Sequence, residues 1–303
     1  MVSGFLSKPF RFFISMSKEH KGEWYIIVAG ALILFVIIFS SVFAGIIAPY
    51  GPVTDVASPY IKEHNLDLRA ATPLPPNETF IMGTNDLGFD VFSRILFGSR
   101  TVLLVSIAAS IFSALMGIPI GLLSGFYGGK VDRTLSLLMD SIYSFPGLIL
   151  AIALAAMLGP GVTNISVAIA VIYVPTYFRI VRGQVLSVKE ELYVEAARSI
   201  GAGPMTIMTK YVFPNVIASV VVIFSLNVAD AILTEAGLSF LGLGLPPDLP
   251  DWGIDLAKGK KFVPSGYWWI ITFPGLMIML VALSFTMIGE GLNEVLNPRL
   301  KEK

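Results

Sequence analysis

Apolar residues run through this chain in long stretches that contain no charged side chain. Such stretches cover residues 24–48, 101–129 and 141–178. The third is too long for one crossing of a bilayer, because about 20 mostly apolar residues span the ~30 Å hydrocarbon core as a helix. It also contains Gly159-Pro160-Gly161, a combination that marks a turn. The pattern therefore predicts two helices in this stretch, one on each side of the turn.

Applied to the whole chain, the same criterion predicts six membrane-spanning helices. They lie at 24–48, 101–129, about 136–158, 163–181, 211–237 and 262–289. Tyr267, Trp268 and Trp269 stand at one boundary of the sixth helix, where aromatic side chains are typical of a membrane–water interface. The first stretch is longer than the ~7–15 apolar residues of a secretory signal, so we expect it to be retained as a span.

The composition agrees with an all-α, polytopic membrane protein. Hydrophobic residues make up 55% of the 303 positions and charged residues only 14%, whereas a soluble domain carries about 25% charged residues. The formal net charge is zero, with 21 basic and 21 acidic side chains, so no overall positive field points to a nucleic-acid partner. The absence of cysteine excludes a disulfide framework and a thiolate metal site.

Basic residues are distributed unequally between the two sides that six spans would create. Lysine and arginine are enriched in the cytoplasmic loops of membrane proteins. The N-terminus, the segments 130–135 and 179–215, and the C-terminus share one side and carry fourteen of the 21 basic residues. The long loops 49–99 and 238–266, with their borders, carry the rest. Both termini are therefore predicted to be cytoplasmic, in an inner cell membrane.

These predictions divide the chain into consecutive regions. The regions are a cytoplasmic segment 1–23, a first helix 24–48, an extracytoplasmic loop 49–99, a core of five helices 100–290 and a cytoplasmic tail 291–303. The stretch 5–13 places Lys8 and Arg11 among four phenylalanines. Either an amphipathic helix on the membrane surface or an unstructured tail fits this pattern.

The sequence lacks the motifs of several kinds of chemistry. It has two histidines and no HExxH helix, no GxxxxGK[ST] loop for the phosphates of ATP and no GxSxG elbow. Ion-coupled carriers use carboxylates or histidines in the middle of the membrane, but here Asp140, Asp230 and Glu235 fall toward the ends of spans. We therefore predict neither an enzyme nor an autonomous pump, and no metal or cofactor on this chain.

A short segment between the fourth and fifth spans has helical periodicity. The apolar side chains that follow the i, i+3, i+4, i+7 spacing of one helix face are Tyr193, Ala196, Ala197 and Ile200. Gly201 and Gly203-Pro204 end this helix, and a second helix is predicted at 205–213, before Pro214. The alanines permit close approach by a partner. An ordinary loop helix at the membrane surface is the alternative that these residues leave open.

The same segment resembles the EAA loop of ABC-importer permeases. The matching residues are Glu195-Ala196-Ala197, Gly201 and Tyr211-Val212-Phe213-Pro214-Asn215. Other stretches resemble the dipeptide/oligopeptide/nickel importer family, and within it the C-type permease subunit. They are MGTNDLGFDVFSR at 82–94, GFYGG at 125–129, FPG at 145–147, RIVRGQ at 179–184, EAGLSFLGLG at 235–244 and NPRL at 297–300. The chain departs from the family pattern at Asn85, Phe89, Tyr211 and Asp230.

The resemblance implies the type I ABC-importer permease fold and a set of partners. The partners would be a second homologous permease subunit, two cytoplasmic ATPase subunits that hold ATP and Mg, and an extracytoplasmic solute-binding protein. The EAA segment 189–215 would dock on one ATPase, with Glu195 as a polar anchor, Ala196 and Ala197 as the close-contact face, and Gly201 allowing a sharp turn. Peptides are the commonest cargo of such importers, and oligosaccharides or nickel chelates are alternatives. An autonomous secondary carrier and a scaffold without transport activity are the other classes left open.

Polar residues on the fifth span mark a candidate pathway for the solute. Asn227, Asp230 and Thr234 recur at i, i+3, i+7 on an otherwise apolar helix. A carboxylate facing lipid costs about 3 kcal/mol at the centre of the bilayer, so we expect this stripe to face protein or water. Hydrogen bonding between helices is the favoured interpretation for Asn227, and a pathway role is favoured for Asp230. The resemblance implies an outer gate or a structural role for Glu235.

Overall fold

The structure is a computed structural model that describes residues 21–64 and 73–296. The helices are α1 (Lys21–Val42), α2 (Ala44–Ile47), α3 (Ala57–Glu63), α4 (Val91–Tyr127), α5 (Gly129–Tyr143), α6 (Gly147–Leu158), α7 (Val162–Val188), α8 (Leu192–Ser199), α9 (Pro204–Thr206), α10 (Phe213–Phe240), α11 (Trp252–Gly259) and α12 (Trp269–Leu296). A π-helical turn, Ile207–Val212, joins α9 to α10, and a 3-10 turn, Lys260–Ser265, follows α11. β pairing in the described residues is limited to two isolated bridges. The all-α prediction is confirmed, and the proposed surface helix at 5–13 lies outside the described residues.

Five of these helical stretches are long and apolar enough to cross a membrane. They are Gly22–Val42, Val91–Tyr127, Val162–Val188, Pro204–Phe240 and Trp269–Leu296. The pair α5 and α6 passes the same test only when taken together, and its two helices are bent by 85°. The predicted number of six spans agrees with this result when the bent pair is counted as one crossing.

The single helix predicted at about 136–158 is wrong. α5 ends at Tyr143 and α6 begins at Gly147, so Pro146 stands at the corner of the 85° bend. Proline has no backbone N–H to donate and disfavours the helical conformation of the residue before it. Apolar side chains continue across the break, which is why a search for charge-free stretches could not detect it.

The start of the second span is also earlier than predicted. α4 begins at Val91, inside the predicted loop 49–99, and continues through two arginines. Arg94 is buried in an ion pair, and Arg100 donates hydrogen bonds to backbone oxygens at the end of α1. Both charges are therefore satisfied within the helical region. The absence of charge is too strict a criterion at the ends of spans.

Several other boundaries differ from the prediction. The first helix ends at Val42 and the separate short helix α2 follows it, whereas one helix was predicted over 24–48. α7 continues to Val188, past the predicted end at 181. The predicted loop 238–266 contains α11, and its 3-10 turn includes Pro264. α12 therefore begins at Trp269 and extends to Leu296, later at both ends than the predicted 262–289.

Glycines allow α4 and α7 to pack closely side by side. Gly117, Gly121 and Gly125 recur every fourth residue, so they lie on one face of α4. A Cβ atom at Gly121 would lie 2.8 Å from the backbone oxygen of Phe178, and one at Gly125 would lie 2.8 Å from the Cβ of Val185. Small residues of this kind permit close helix contact within a membrane. This pair forms the centre of the helix bundle.

A polar cap covers one end of the bundle; we use this name for residues 73–90 together with α11. Hydrogen bonds from two buried tryptophans hold it against the spans. The indole Nε1 of Trp252 donates to the backbone oxygen of Ile95 at 3.1 Å, and that of Trp269 donates to the backbone oxygen of Thr84 at 3.1 Å. The segment with the EAA resemblance lies beyond the opposite end of α4 and α7, so the two features are at opposite ends of the bundle.

Candidate functional site

The coupling segment, as we name residues 189–215, presents α8 at one end of the bundle. Leu192 and Ile200 are each 81% exposed, and Tyr193 is 41% exposed. Glu195 and Ala196 are also exposed on this short helix. Apolar side chains so open to solvent in a small region are typical of a surface that meets another protein.

The two alanines of the predicted close-contact face point in different directions. Ala196 is exposed, but Ala197 is only 4% exposed. Ala197 lies on the inner side of α8 together with Val194, which belongs to a buried cluster with Val185 and Val212. Because Ala197 is buried, it cannot contribute an exposed surface, and the prediction is corrected for this residue. Its small side chain lets α8 lie close to the bundle.

Gly201 turns the chain sharply after α8. Its φ angle is +87°, a conformation that side chains with a Cβ atom adopt at a cost of roughly 1–2 kcal/mol. The backbone N–H of Ala202 donates to the oxygen of Ala197 at 3.0 Å, which closes the end of the helix. The predicted turn at Gly201 therefore agrees with the backbone conformation.

The second helix of the coupling segment does not end before Pro214 as predicted. Pro204–Phe240 forms one continuous helical stretch of 37 residues. The π-helical turn Ile207–Val212 ends two residues before Pro214, and its wider hydrogen-bonding pattern accommodates the lack of an N–H on the proline. The side-chain amide of Asn215 donates to the backbone oxygen of Tyr211 at 2.7 Å. Displacement of the coupling segment would therefore be passed directly to α10.

Ion pairs and hydrogen bonds brace the helices next to the coupling segment. The guanidinium of Arg182 on α7 donates to Asp132 on α5 at 2.7 Å. The ammonium group of Lys189 donates to the backbone oxygen of Gly125 at the end of α4 at 2.9 Å. Sequence reasoning did not single out these residues for a role. The motif stretches GFYGG and RIVRGQ contain two of them and were the available signal.

A cavity of about 550 Å³ opens beside the coupling segment. Its lining comes from the ends of α7 and α12, the start of α10 and the segment before α8. The lining residues are Gly183, Gln184, Ser187, Val188, Glu191, Tyr193, Asn215, Ala218, Ser219, Val222, Asn293 and Leu296. Most of these side chains are small or polar and uncharged, so the cavity offers a wet surface within the bundle.

The predicted polar stripe on α10 divides between two environments. Asn227 is only 3% exposed and lies beside the Tyr177 hydroxyl, which agrees with contact between helices. Asp230 is exposed. Thr234 is partly buried, and its hydroxyl is 2.9 Å from that of Tyr173 on α7. Sequence reasoning missed Tyr173, because a tyrosine within an apolar helix carries no distinguishing signal.

Glu235 lies in the interior, next to the cap. Its side chain is fully buried, and Ser239 donates a hydrogen bond to it at 2.9 Å. It also lies beside Asp251, which caps the start of α11 and accepts from the N–H of Ile254 at 2.9 Å. Burial raises the pKa of Asp251 above its ordinary range, although these hydrogen bonds oppose the shift. Two buried carboxyl groups in contact require a proton between them.

Residues 21–64 and 73–296 contain no group of three or more His, Asp or Glu side chains placed to hold a metal ion. Two buried acidic side chains at the cap end of the bundle face groups of the protein itself. Asp255 faces Arg94, and Asp251 faces Glu235.

Known proteins resemble this chain in sequence over most of its length. Residues 117–302 match the family model of the binding-protein-dependent transport system inner membrane component. The glutathione transport system permease protein GsiD of Pectobacterium atrosepticum is 42% identical over 231 residues, 75% of each chain. The di/tripeptide transport system permease protein DppC of Pseudomonas aeruginosa is 36% identical over 296 residues, 97% of this chain and 93% of its own.

Solved structures resemble the chain in fold. A structure of the MetNI methionine ABC transporter in an inward-facing conformation superimposes with a TM-score of 0.54 at 18% sequence identity. The superposition covers 67% of this chain and 96% of that chain.

Proposed function

This chain belongs to the family of binding-protein-dependent transport system inner membrane components, and from this premise we propose that it imports peptides as a permease subunit driven by separate ATPases. Its fold is that of an ABC-importer permease. Its described helices provide five candidate spans, or six with the bent pair. The solute, the partners and the orientation in the membrane are the proposed parts of this function.

Peptides are the solutes that the relatives support best. One relative is named for glutathione, and the other, which aligns with 97% of this chain, is named for di- and tripeptides. Glutathione is itself a tripeptide, so both names describe small solutes with amide bonds and charged ends. Oligosaccharides and nickel chelates are the alternative solutes that the test below distinguishes.

The proposed complex contains several other chains. A second homologous permease completes the pathway, and an extracytoplasmic solute-binding protein delivers the peptide. Two ATPase subunits hold ATP and Mg and carry out hydrolysis, so this chain has no catalytic role. We place both termini in the cytoplasm, because fourteen of the 21 basic residues lie on that side.

The continuity of the coupling segment with α10 is the observation that carries the mechanism. The exposed face of α8, with Glu195 and Ala196, is a surface on which an ATPase can dock. Its turn at Gly201 leads into Pro204–Phe240, which is helical throughout. Movement of the docked ATPase would therefore tilt α10, which lines the cavity and carries Asp230. The cap, with Glu235 at its base, would face the binding protein.

The experiment that tests the solute is to purify the chain with its natural partners and identify what the binding protein carries. Native mass spectrometry gives the mass of the bound solute. We expect short peptides. An oligosaccharide or a nickel chelate in the binding protein would contradict the peptide assignment while leaving the permease assignment in place.

A further inference from the structure

Asp230 is an exposed carboxylate well inside a membrane-spanning helix. It stands ten residues before the end of α10, which corresponds to about 15 Å along the helix axis. Within the described part of the chain, no side chain forms an ion pair or a hydrogen bond with its carboxylate. The other acids of the spans near α7 differ: Asp132 and Asp140 pair with arginines, and Glu235 is buried.

The groups next to Asp230 offer hydrogen-bond acceptors to a solute. Thr234 donates its hydroxyl hydrogen to the backbone oxygen of Asp230 at 2.9 Å. Because that hydrogen is used, the Tyr173 hydroxyl must be the donor in its 2.9 Å bond to Thr234. The oxygen of Tyr173 is then available as an acceptor beside Thr234. The cluster thus presents acceptors and negative charge, and its own donors are already used.

This acceptor cluster lies on the same helix faces as the cavity beside the coupling segment. On α7, Tyr173 precedes the cavity residue Gln184 by eleven residues, which is three helical turns. On α10, Asp230 follows the cavity residue Ser219 by the same interval. Both pairs therefore share a face, with the cluster about 16 Å further along the axes. Between the cavity and the cluster, α7 and α10 pack through the buried side chains of Tyr177 and Asn227, so the cluster opens on the exposed side of Asp230 and not into the cavity.

We propose that Asp230, with Tyr173 and Thr234, holds the α-ammonium group of a peptide as it passes along the exposed face of α10. An ammonium group has three N–H donors and a positive charge and no acceptor, so it complements a site made of acceptors beside a carboxylate. A carbohydrate has no charge to pair with Asp230. The inference rests on the proposed function, because it requires that the chain lines a peptide pathway.

Saturation-transfer NMR on the complete transporter, without its binding protein, tests this site directly. The probes are alanyl-alanine, its N-acetyl derivative, which lacks the ammonium group, and the uncharged sugar maltotriose. The variants are Asp230→Asn, Asp230→Glu, which keeps the charge, and Glu290→Gln as a control at an exposed acid of α12. Leaving out the binding protein ensures that the contact reports the permease alone.

We expect the wild-type complex and Glu290→Gln to contact alanyl-alanine about tenfold more strongly than the acetylated form. Asp230→Asn should abolish the difference and Asp230→Glu should retain it. Equal contact by both peptides in the wild type, or a preference that survives Asp230→Asn, would overturn the site. If maltotriose contacts the transporter and neither peptide does, the peptide function itself is overturned. Peptide uptake at the same rate by wild type and Asp230→Asn in proteoliposomes would overturn the site alone.

Discussion

The side chain of Arg94 shows how a charge is kept inside this protein. It is 2% exposed, and its guanidinium lies 2.7 Å from the carboxylate of Asp255 on α11. A further N–H donates to the backbone oxygen of Pro52 at 3.0 Å. Breaking a buried ion pair leaves the partner charge uncompensated, at a cost of about 3–5 kcal/mol. Arg94 therefore joins the start of α4 to the cap.

We expect Arg94→Met to lower the free energy of unfolding by about 3–5 kcal/mol, because Asp255 is left charged and buried. Lys261→Ala is the control. Lys261 lies 3.8 Å from Asp86 and is 64% exposed, so the loss should be below about 1 kcal/mol. Thermal unfolding of the solubilised complex measures both variants. Equal shifts for the two substitutions would show that Arg94 does not support the cap.

Asp251 should make the stability of the cap depend on pH. Burial raises the pKa of this carboxyl above its ordinary value of 3.8, so the folded protein binds its proton more tightly than the unfolded chain does. Its contribution to stability is complete below that ordinary value and is lost as the pH rises through the folded-state pKa. We expect the melting temperature of Asp251→Asn to fall less than that of the wild type over this rise in pH.

Asparagine is a suitable replacement, because its side-chain oxygen can still accept from the N–H of Ile254 at the start of α11. The comparison therefore separates the effect of ionising residue 251 from the effect of losing the side chain that caps the start of α11. If the melting temperatures of the wild type and of Asp251→Asn change in parallel with pH, this result would contradict a proton shared between Asp251 and Glu235.

Single residues were predictable where the membrane makes them unusual. Asp230 and Glu235 were identified because a carboxylate within a span needs a reason. Asp251 and Asp255 were not, since an acid in a polar loop is ordinarily solvated. The ion pair of Asp255 with Arg94 joins residues 161 positions apart, and no local pattern indicates such a partner. Ala197 was misplaced because a helical stripe does not reveal which of two adjacent faces meets the bundle.

At the scale of helices, the contact of α4 with α7 depends on the absence of side chains at its centre. We expect Gly121→Ala to destabilise the protein by about 1–3 kcal/mol, because the backbone must move to admit the methyl group. Its Cβ would lie 2.8 Å from the Phe178 oxygen. Gly45→Ala is the matched control, since no atom lies within 4 Å of a Cβ there. Thermal unfolding compares them, and equal stability would contradict close helix contact at Gly121.

The coupling helix α8 provides a prediction about energy transfer. We expect Glu195→Ala to abolish ATP-driven uptake while the chain stays folded, because the side chain is exposed and no buried contact is lost with it. Glu190→Ala is the control, since Glu190 is also exposed but precedes α8. Uptake and ATP hydrolysis are measured together in proteoliposomes. Full coupled uptake by Glu195→Ala would exclude an anchoring role for this residue.

Gly201 should act through the backbone. No atom lies within 4 Å of a Cβ at this position, but the φ angle of +87° disfavours any residue with a side chain. We expect Gly201→Val to reposition α8 and to reduce uptake per ATP hydrolysed, with a loss of stability of about 1–2 kcal/mol. Unchanged uptake per ATP would show that coupling does not depend on this turn.

Helices were predictable where apolar composition and membrane length agree. The stretch 211–237 lies within the observed span Pro204–Phe240, and 101–129 overlaps the observed span Val91–Tyr127 except for its last two residues. The 85° bend at Pro146 was missed because hydropathy is the same on both sides of it. The continuous helix through Pro214 was missed because a π-helical turn before the proline lets the helix continue. That turn has no simple signature in the residue pattern.

At the scale of the whole molecule, the zero net charge conceals an oriented distribution. The coupling segment and the cap lie at opposite ends of α4, α7 and α10, and Asp230 lies between them. The predicted topology assigns fourteen of the 21 basic residues to the side of the coupling segment. This arrangement agrees with our proposal that the chain receives force from ATPases at the end with the coupling segment and solute at the end with the cap. The resemblance to the EAA loop indicated the coupling segment, whereas the cap could be recognised only in the structure.

The central claim is that this permease moves peptide only when separate ATPases supply the energy. Uptake of a labelled dipeptide into proteoliposomes tests it most directly, with the complete complex compared with this chain alone under an ion gradient. We predict accumulation by the complete complex that requires ATP, the ATPase subunits and the binding protein, and none by the chain alone. Accumulation by the chain alone, driven by the ion gradient, would contradict the account.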